Sequence, residues 1–251
     1  MDLAGKTAFV TGGSGDIGGA IAKELAAAGV DVAISYVGYS DGAAAAVAAV
    51  QGSGRRGLAV QLDQRDAAAI DTAVGSVIDK FGRLDILVNN AAWNVGIRFS
   101  ALDDLTTQLW DRVVETNLRG PYLLARAFAP HLRAHRAGRI VNIASVAGLY
   151  PGGSSIAYAV SKAALIHLTR CLAVAMAPGV TVNCIAPGLV EGTRMAQRLS
   201  EDMAQWARDG AVLGRTASLK DIADQAVAFC RAESVTGQVL VIDGGMPGGM
   251  H

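Results

Sequence analysis

Thr11-Gly12-Gly13-Ser14-Gly15-Asp16-Ile17-Gly18 is the stretch that decides how this chain folds. It follows a short apolar run, Thr7–Thr11, and leads into an Ala-rich stretch of helical period, Ile17–Ala28. Strand, glycine turn and helix in that order open a βαβ unit. Glycines let the backbone turn tightly and approach a pyrophosphate, whose charge is met by free N–H groups at the helix N-terminus. The octet therefore predicts a dinucleotide site lined by Gly12, Ser14, Gly15, Asp16, Ile17 and Gly18. A carboxylate is unwelcome beside a pyrophosphate, so Asp16 is expected to cap the helix instead.

Outward from the octet the same alternation recurs. Strands are expected at Thr7–Thr11, Val32–Tyr36, Leu58–Leu62, Ile86–Asn89, Arg139–Ala144, Thr181–Ile185 and Val239–Ile242. Helices are expected near Ile17–Ala28, Gly42–Gln51, Ala67–Phe81, Leu105–His135, Ile156–Ala177 and Leu219–Cys230. Most of the strands are unbroken apolar runs, as befits a sheet covered on both faces. The pattern predicts an α/β fold: one Rossmann-like, doubly wound domain over residues 1–251, with a seven-stranded parallel sheet. Val190–Gly214, rich in Met, Arg and Gly, reads as an insertion between the last two strands that can act as a lid.

Composition narrows the function. Lys+Arg and Asp+Glu both number 22, so no net charge is available to hold a polyanion, and nucleic acid is not an expected partner. The three cysteines, Cys171, Cys184 and Cys230, are odd in number and set in apolar stretches, which reads as buried thiols rather than disulfides or a zinc site. The first residues lack a basic-then-apolar leader, and Pro or Gly is expected to break later apolar runs before membrane-spanning length. The expectation is a cytoplasmic protein without a membrane partner. His131 and His135 are four apart on a helix but lack a third ligand, so no metal is expected.

Ser145 closes the fifth strand, and Tyr158 and Lys162 follow at a spacing that puts them on one helix face. An unperturbed Tyr titrates at about 10 and shuttles protons poorly near neutrality; an adjacent ammonium favours its phenolate and makes it an acid–base group. Ser145 can donate to the same substrate oxygen. The second strand ends Ser35-Tyr36-Val37-Gly38-Tyr39-Ser40 with no carboxylate until Asp41. An acid at that point would repel a 2′-phosphate, so its absence leans the cofactor toward NADP(H) over NAD(H). Trp93 and Tyr150 stand in loops at the carboxyl edge of the sheet, where ligands bind, and are expected to shape a substrate pocket.

Together these residues resemble the short-chain dehydrogenase/reductase family, from Lys6 to Gly245. The octet is similar to the family's nucleotide loop, Asn89-Asn90-Ala91-Ala92 to its Asn-Asn-Ala-Gly strand, and Ser145, Tyr158 and Lys162 to its catalytic triad. Pro187-Gly188 matches the turn after the sixth strand, and Val235-Thr236-Gly237-Gln238 through Asp243-Gly244-Gly245 follows the family pattern. The resemblance implies that Asn117 holds a proton-relay water and that Lys162 also binds the nicotinamide ribose. It implies that Asp63 meets the adenine and that Asn90 and Ala91 pass beneath the adenosine. Tyr36, Gln64, Tyr158, Pro187, Gly188, Val190 and Thr193 complete the implied cofactor contacts. It also implies a dimer or tetramer formed through the long central helices.

Three departures stand out: Asp16 where the family has a Gly, Ala92 for the last Gly of the strand motif, and one extra residue before Thr193. Gly15 also replaces a position that is often basic in the family's NADP(H) enzymes. The implied activity is an NAD(P)(H)-dependent interconversion of a small carbonyl compound and an alcohol. Reduction of a 3-oxoacyl thioester and oxidation of a sugar or polyol are its alternatives. A nucleotide-sensing protein that kept the fold and lost turnover is a rival of another class.

Overall fold

The computed structural model describes residues 1–198 and 201–246. Its centre is one parallel sheet of seven strands: β1 (Thr7–Val10), β2 (Asp31–Tyr36), β3 (Gly57–Gln61), β4 (Ile86–Asn89), β5 (Gly138–Ile143), β6 (Val180–Pro187) and β7 (Val239–Ile242). Their order is β3-β2-β1-β4-β5-β6-β7. The chain winds outward one way from β1 and the other way from β4, so a crevice opens at their carboxyl ends, the switch point of a doubly wound fold. The expected fold class and all seven strands are present, with ends moved by three residues or fewer.

The strands look uniformly apolar yet serve two cores. Ala8, Val10, Val32, Ile34, Ile86 and Val88 face one side, with helices α1 (Asp16–Ala27), α2 (Ser40–Gly52) and α8 (Leu219–Arg231) packed over them. Phe9, Ala33 and Leu87 face the other, beneath α3 (Ala67–Phe81), α5 (Gly120–Ala134) and α6 (Ile156–Met176). Phe9 is fully buried against Phe128 of α5, ring centres 5.3 Å apart. Burying a side chain of that size stabilises by roughly 1.5–3 kcal/mol. Helix ends are fixed locally: Asp66 caps α3, accepting from the amides of Ala68 and Ala69 at 2.9 and 3.3 Å. Gly82 ends the same helix with a left-handed φ of 78°.

Three expectations change. Leu105–His135 is not one regular helix: α4 (Thr107–Val114) and α5 are joined by a π-turn, Glu115–Arg119. Pro121 has no N–H to give the carbonyl of Asn117, and the Gly120 amide instead reaches back five residues to Glu115. Cys171 is exposed, while Cys184 and Cys230 are buried thiols, pushed by burial up to about 11 and about 12. Finally, Pro or Gly does not interrupt α6, whose 21 residues are long and apolar enough to cross a bilayer. Half of that stretch is buried inside the protein, and its inward face carries Ser161, Lys162 and Thr169.

Candidate active site

The nucleotide loop lies across the carboxyl ends of β1 and β2. The amides of Gly12 and Gly13 donate to the Ser35 hydroxyl and carbonyl at 3.1 and 2.9 Å, and Gly12 takes a φ of 63°. Gly18 permits a close approach: a Cβ there would stand 2.5 Å from the Gly12 oxygen and 2.6 Å from Asn90 Nδ2. From β4, Asn90 donates its side-chain amide to the carbonyls of Thr11 (2.9 Å) and Gly12 (3.3 Å). The backbone amides of Asn90 and Ala91 both donate to Thr11 Oγ1, at 3.0 and 2.9 Å. Asn90 is thus a clasp on the loop, and its backbone, with that of Ala91, forms the crevice floor.

Asp16 does not cap α1. Gly15 occupies the cap position without a side-chain bond, and Asp16 is the first helical residue. Its carboxylate accepts from the backbone amide (2.8 Å) and Nε (3.4 Å) of Arg194, which lies between β6 and α8. The carboxylate starts one residue too late to cap, and a guanidinium offers it a charged partner. Ser14 and Ile17 flank this position, and Tyr36 ends β2 beside the loop, half-buried.

Asp63 and Gln64 follow β3. Arg65 grips the Asp63 carboxylate through Nε at 3.0 Å and Nη2 at 2.5 Å, which holds that carboxyl below its usual range. Gln64 is buried, and its amide donates to the carbonyls of Ala91 (3.2 Å) and Thr116 (2.7 Å). It braces the crevice floor against the π-turn, so its side chain is a support.

The chemistry-bearing groups converge where β5, the π-turn and α6 meet. Ser155, fully buried, caps α6 by accepting from the Tyr158 amide at 3.2 Å and so sets the turn that carries Tyr158. Ser145 lies two residues past β5 and accepts from Ala147 N at 3.2 Å. Burial pushes the Tyr158 phenol up, and the Ser145 side chain facing it partly offsets this. Lys162 is 2% exposed, donates from Nζ to the Ile143 carbonyl at 2.8 Å, and stands 5.7 Å from the centre of the Tyr158 ring. Burial lowers its ammonium to about 8. Asn117, buried in the π-turn, donates to Ser161 Oγ (3.1 Å) and Trp93 O (3.0 Å) and accepts from Trp93 N (2.8 Å).

Loops form the walls. The Trp93 ring is half-buried in a cluster with Val113, Ala147 and Tyr158, and the Arg112 guanidinium lies 4.2 Å from its centre. Ile97 N donates to Ser154 O at 2.8 Å, tying the loop after β4 to the loop after β5. Burial, aided by the nearby Asp243 charge, raises the Tyr150 phenol. Gly188 N donates to Ile242 O at 2.8 Å, fixing the Pro187-Gly188 turn. Val190 is buried and bridges to Ala217. The Thr193 hydroxyl is spent locally, donating to Val190 O at 2.8 Å and accepting from Ala196 N at 3.1 Å. The segment expected to act as a lid, Val190–Gly214, contains α7 (Glu201–Gly210), and residues 199–200 of it lie outside the described residues.

Residues 6–204 match the family model described as short chain dehydrogenase. The chain belongs to the short-chain dehydrogenase family. It is 35% identical over 245 residues to a 3-oxoacyl-(acyl-carrier-protein) reductase of Staphylococcus aureus strain Mu50, covering 96% of this chain and 98% of that protein. A short chain dehydrogenase of Burkholderia cenocepacia J2315, solved in complex with NADP, is 40% identical with a TM-score of 0.88, covering 98% of this chain and 100% of that one. A 3-ketoacyl-(acyl-carrier-protein) reductase of Brucella melitensis, solved with NADH, is 31% identical with a TM-score of 0.88, over 97% and 99% of the two chains. This short-chain dehydrogenase is an NAD(P)-dependent oxidoreductase, and the silent-sensor reading falls away.

The crevice of this family member fits a dinucleotide. Its loop reaches the head of α1 with no side chain at Gly12, Gly13, Gly15 or Gly18 to fill the approach. Sequence reasoning missed three contributors: Ser155, Arg112 and Arg194. Ser155 had a local signal, a cap-type residue three before Tyr158. Arg194 had none, because its partner Asp16 is 178 residues away.

Proposed function

We propose that this enzyme reduces a ketone to a secondary alcohol, using NADP(H) in preference to NAD(H). The observation that carries the chemistry is Tyr158 and Lys162 on one buried turn of α6, the Lys162 Nζ 5.7 Å from the centre of the Tyr158 ring. Gly12, Ser14, Gly15, Asp16, Ile17 and Gly18 hold the pyrophosphate, Tyr36 and Asp63 the adenosine, and Pro187, Gly188, Val190 and Thr193 flank the nicotinamide. The bound nicotinamide supplies hydride to the carbonyl carbon. Tyr158 gives its proton to the oxygen as charge grows there, and Ser145 donates a second hydrogen bond to the same atom. Lys162 favours the resulting phenolate and holds the nicotinamide ribose, while Asn117 keeps a relay water near its ammonium.

Support for NADP(H) is the absence of a carboxylate from the end of β2 through Ser40. Trp93 and Tyr150 shape the substrate pocket under the lid. Among carbonyl substrates, the relatives favour a 3-oxoacyl thioester. The protein acts as one cytoplasmic domain, paired through α5 and α6, where Tyr122, Ala129, Leu172 and Met176 line an apolar groove of about 400 Å³. A monomer by light scattering would overturn the pairing. Catalysis is tested by following oxidation of NADPH and of NADH over a panel of 3-oxoacyl thioesters, free ketones, keto esters and sugars. Turnover of a ketone with NADPH is expected; bound cofactor without turnover on any carbonyl would defeat the proposal.

A further inference from the structure

Arg194 is carried by the lid yet spends its side chain on the far end of the cofactor crevice. Besides its two bonds to Asp16, it donates from Nη2 to the Ser14 carbonyl at 3.2 Å, and its guanidinium carbon lies 4.5 Å from the centre of the Tyr39 ring. Tyr39 stands three residues past the end of β2, so Arg194 bridges the nucleotide loop and the strand end that meets the adenosine ribose. A Cβ built on Gly15 would lie 3.6 Å from Nη2, so the guanidinium borders the side-chain space that Gly15 leaves empty. Of the five donors in the fork, those on Nη1 have no partner among the described residues. No carboxylate at the end of β2 competes for them.

We propose that Arg194 is a cofactor-selecting residue carried by the lid. Its guanidinium, set over the Tyr39 ring and anchored by Asp16, donates to the adenosine 2′-phosphate of NADP(H), adding a cofactor-borne anchor to the contact it already makes with the nucleotide loop. This rests on the proposed use of NADP(H). A planar fork stacked on an aromatic ring suits phosphate oxygens better than a flexible ammonium would. Asp16 offsets part of the charge, so the selectivity is modest.

The test is equilibrium binding of NADPH and NADH to the full chain, read by fluorescence of the reduced nicotinamide, for the wild type, Arg194→Ala and Arg194→Lys. Arg194→Ala is expected to weaken NADPH about tenfold, the worth of a charged hydrogen bond, and NADH by less than about threefold. Arg194→Lys should fall between wild type and Arg194→Ala. Equal losses for both cofactors, or no loss, would overturn the proposal; equal losses would leave Arg194 a simple latch. A wild type that prefers NADH would instead defeat the NADP(H) reading. The change in the NADPH-to-NADH ratio caused by Arg194→Ala would still decide the residue's role. Arg194 is exposed, so its removal leaves the core intact, and an unchanged thermal midpoint checks this.

Discussion

The two ends of the crevice are built on opposite principles. At the proposed proton-transfer end, Tyr158, Lys162 and Asn117 are buried, and each is fixed by bonds to the frame around β5, the π-turn and α6. At the proposed adenosine end, Asp16, Tyr39 and Arg194 are partly or largely exposed and meet through a surface ion pair and a cation–π contact. Burial magnifies electrostatics, so the first end tunes acidity. Exposure screens it, so the second can only select. The difference teaches that chemistry and cofactor choice can be altered separately.

The sharpest way to break that contrast is at the buried end. Tyr158→Phe keeps the ring and deletes the proton; kcat is expected to fall about 10²–10⁴-fold with cofactor affinity unchanged. A matching loss of cofactor affinity in a binding titration would show that the two ends are not separable.

Lys162 offers a pH test of the same burial. Its folded value, about 8, lies below the ordinary lysine value of 10.5, so between the two the unfolded chain binds more protons. Its contribution therefore makes unfolding free energy rise with pH across that window, and below it the buried ammonium costs stability in full. Wild type should gain stability relative to Lys162→Met between about pH 8 and pH 10, by denaturant unfolding. Wild-type reduction should slow as pH rises through about 8, as the ammonium that assists Tyr158 is lost. Parallel stability curves for the two proteins would mean Lys162 is better solvated than its burial implies.

Arg112 tests the intermediate case, a pocket wall steadied from outside. Arg112→Ala is expected to raise KM about two- to fivefold with little change in kcat, since an exposed cation–π contact is worth about 0.5–1 kcal/mol. A drop in kcat instead would mean the Trp93 loop transmits to Tyr158. Asp66→Ala is the control remote from both ends, expected to cost about 1 kcal/mol in unfolding free energy while kcat and cofactor affinity hold.

Much of this is legible in the sequence. Glycine spacing and apolar runs locate the sheet and its switch point because strand burial and tight turns are local properties. Ser145, Tyr158 and Lys162 were legible for the same reason: one strand end and one helix face carry them. The π-turn was hidden by its helical periodicity, although Gly120-Pro121 inside that run was a signal of irregular backbone. Asp16 misled because an acidic residue at a helix start suits a cap, and the choice between cap and ion pair depends on a distant Arg194. Gln64 is a cofactor contact only by resemblance; its bond to Thr116 O, 52 residues away, carries no local signal.

Asn117 holds the Trp93 loop entirely through backbone atoms, one bond to the Trp93 carbonyl and one from its amide. A grip of that kind is indifferent to the side chain it grips. For anyone redesigning the pocket, position 93 is therefore open to substitution and closed to insertion. The residue can be exchanged to suit a new substrate, whereas lengthening the chain there would pull the loop off the asparagine that ties it to the π-turn.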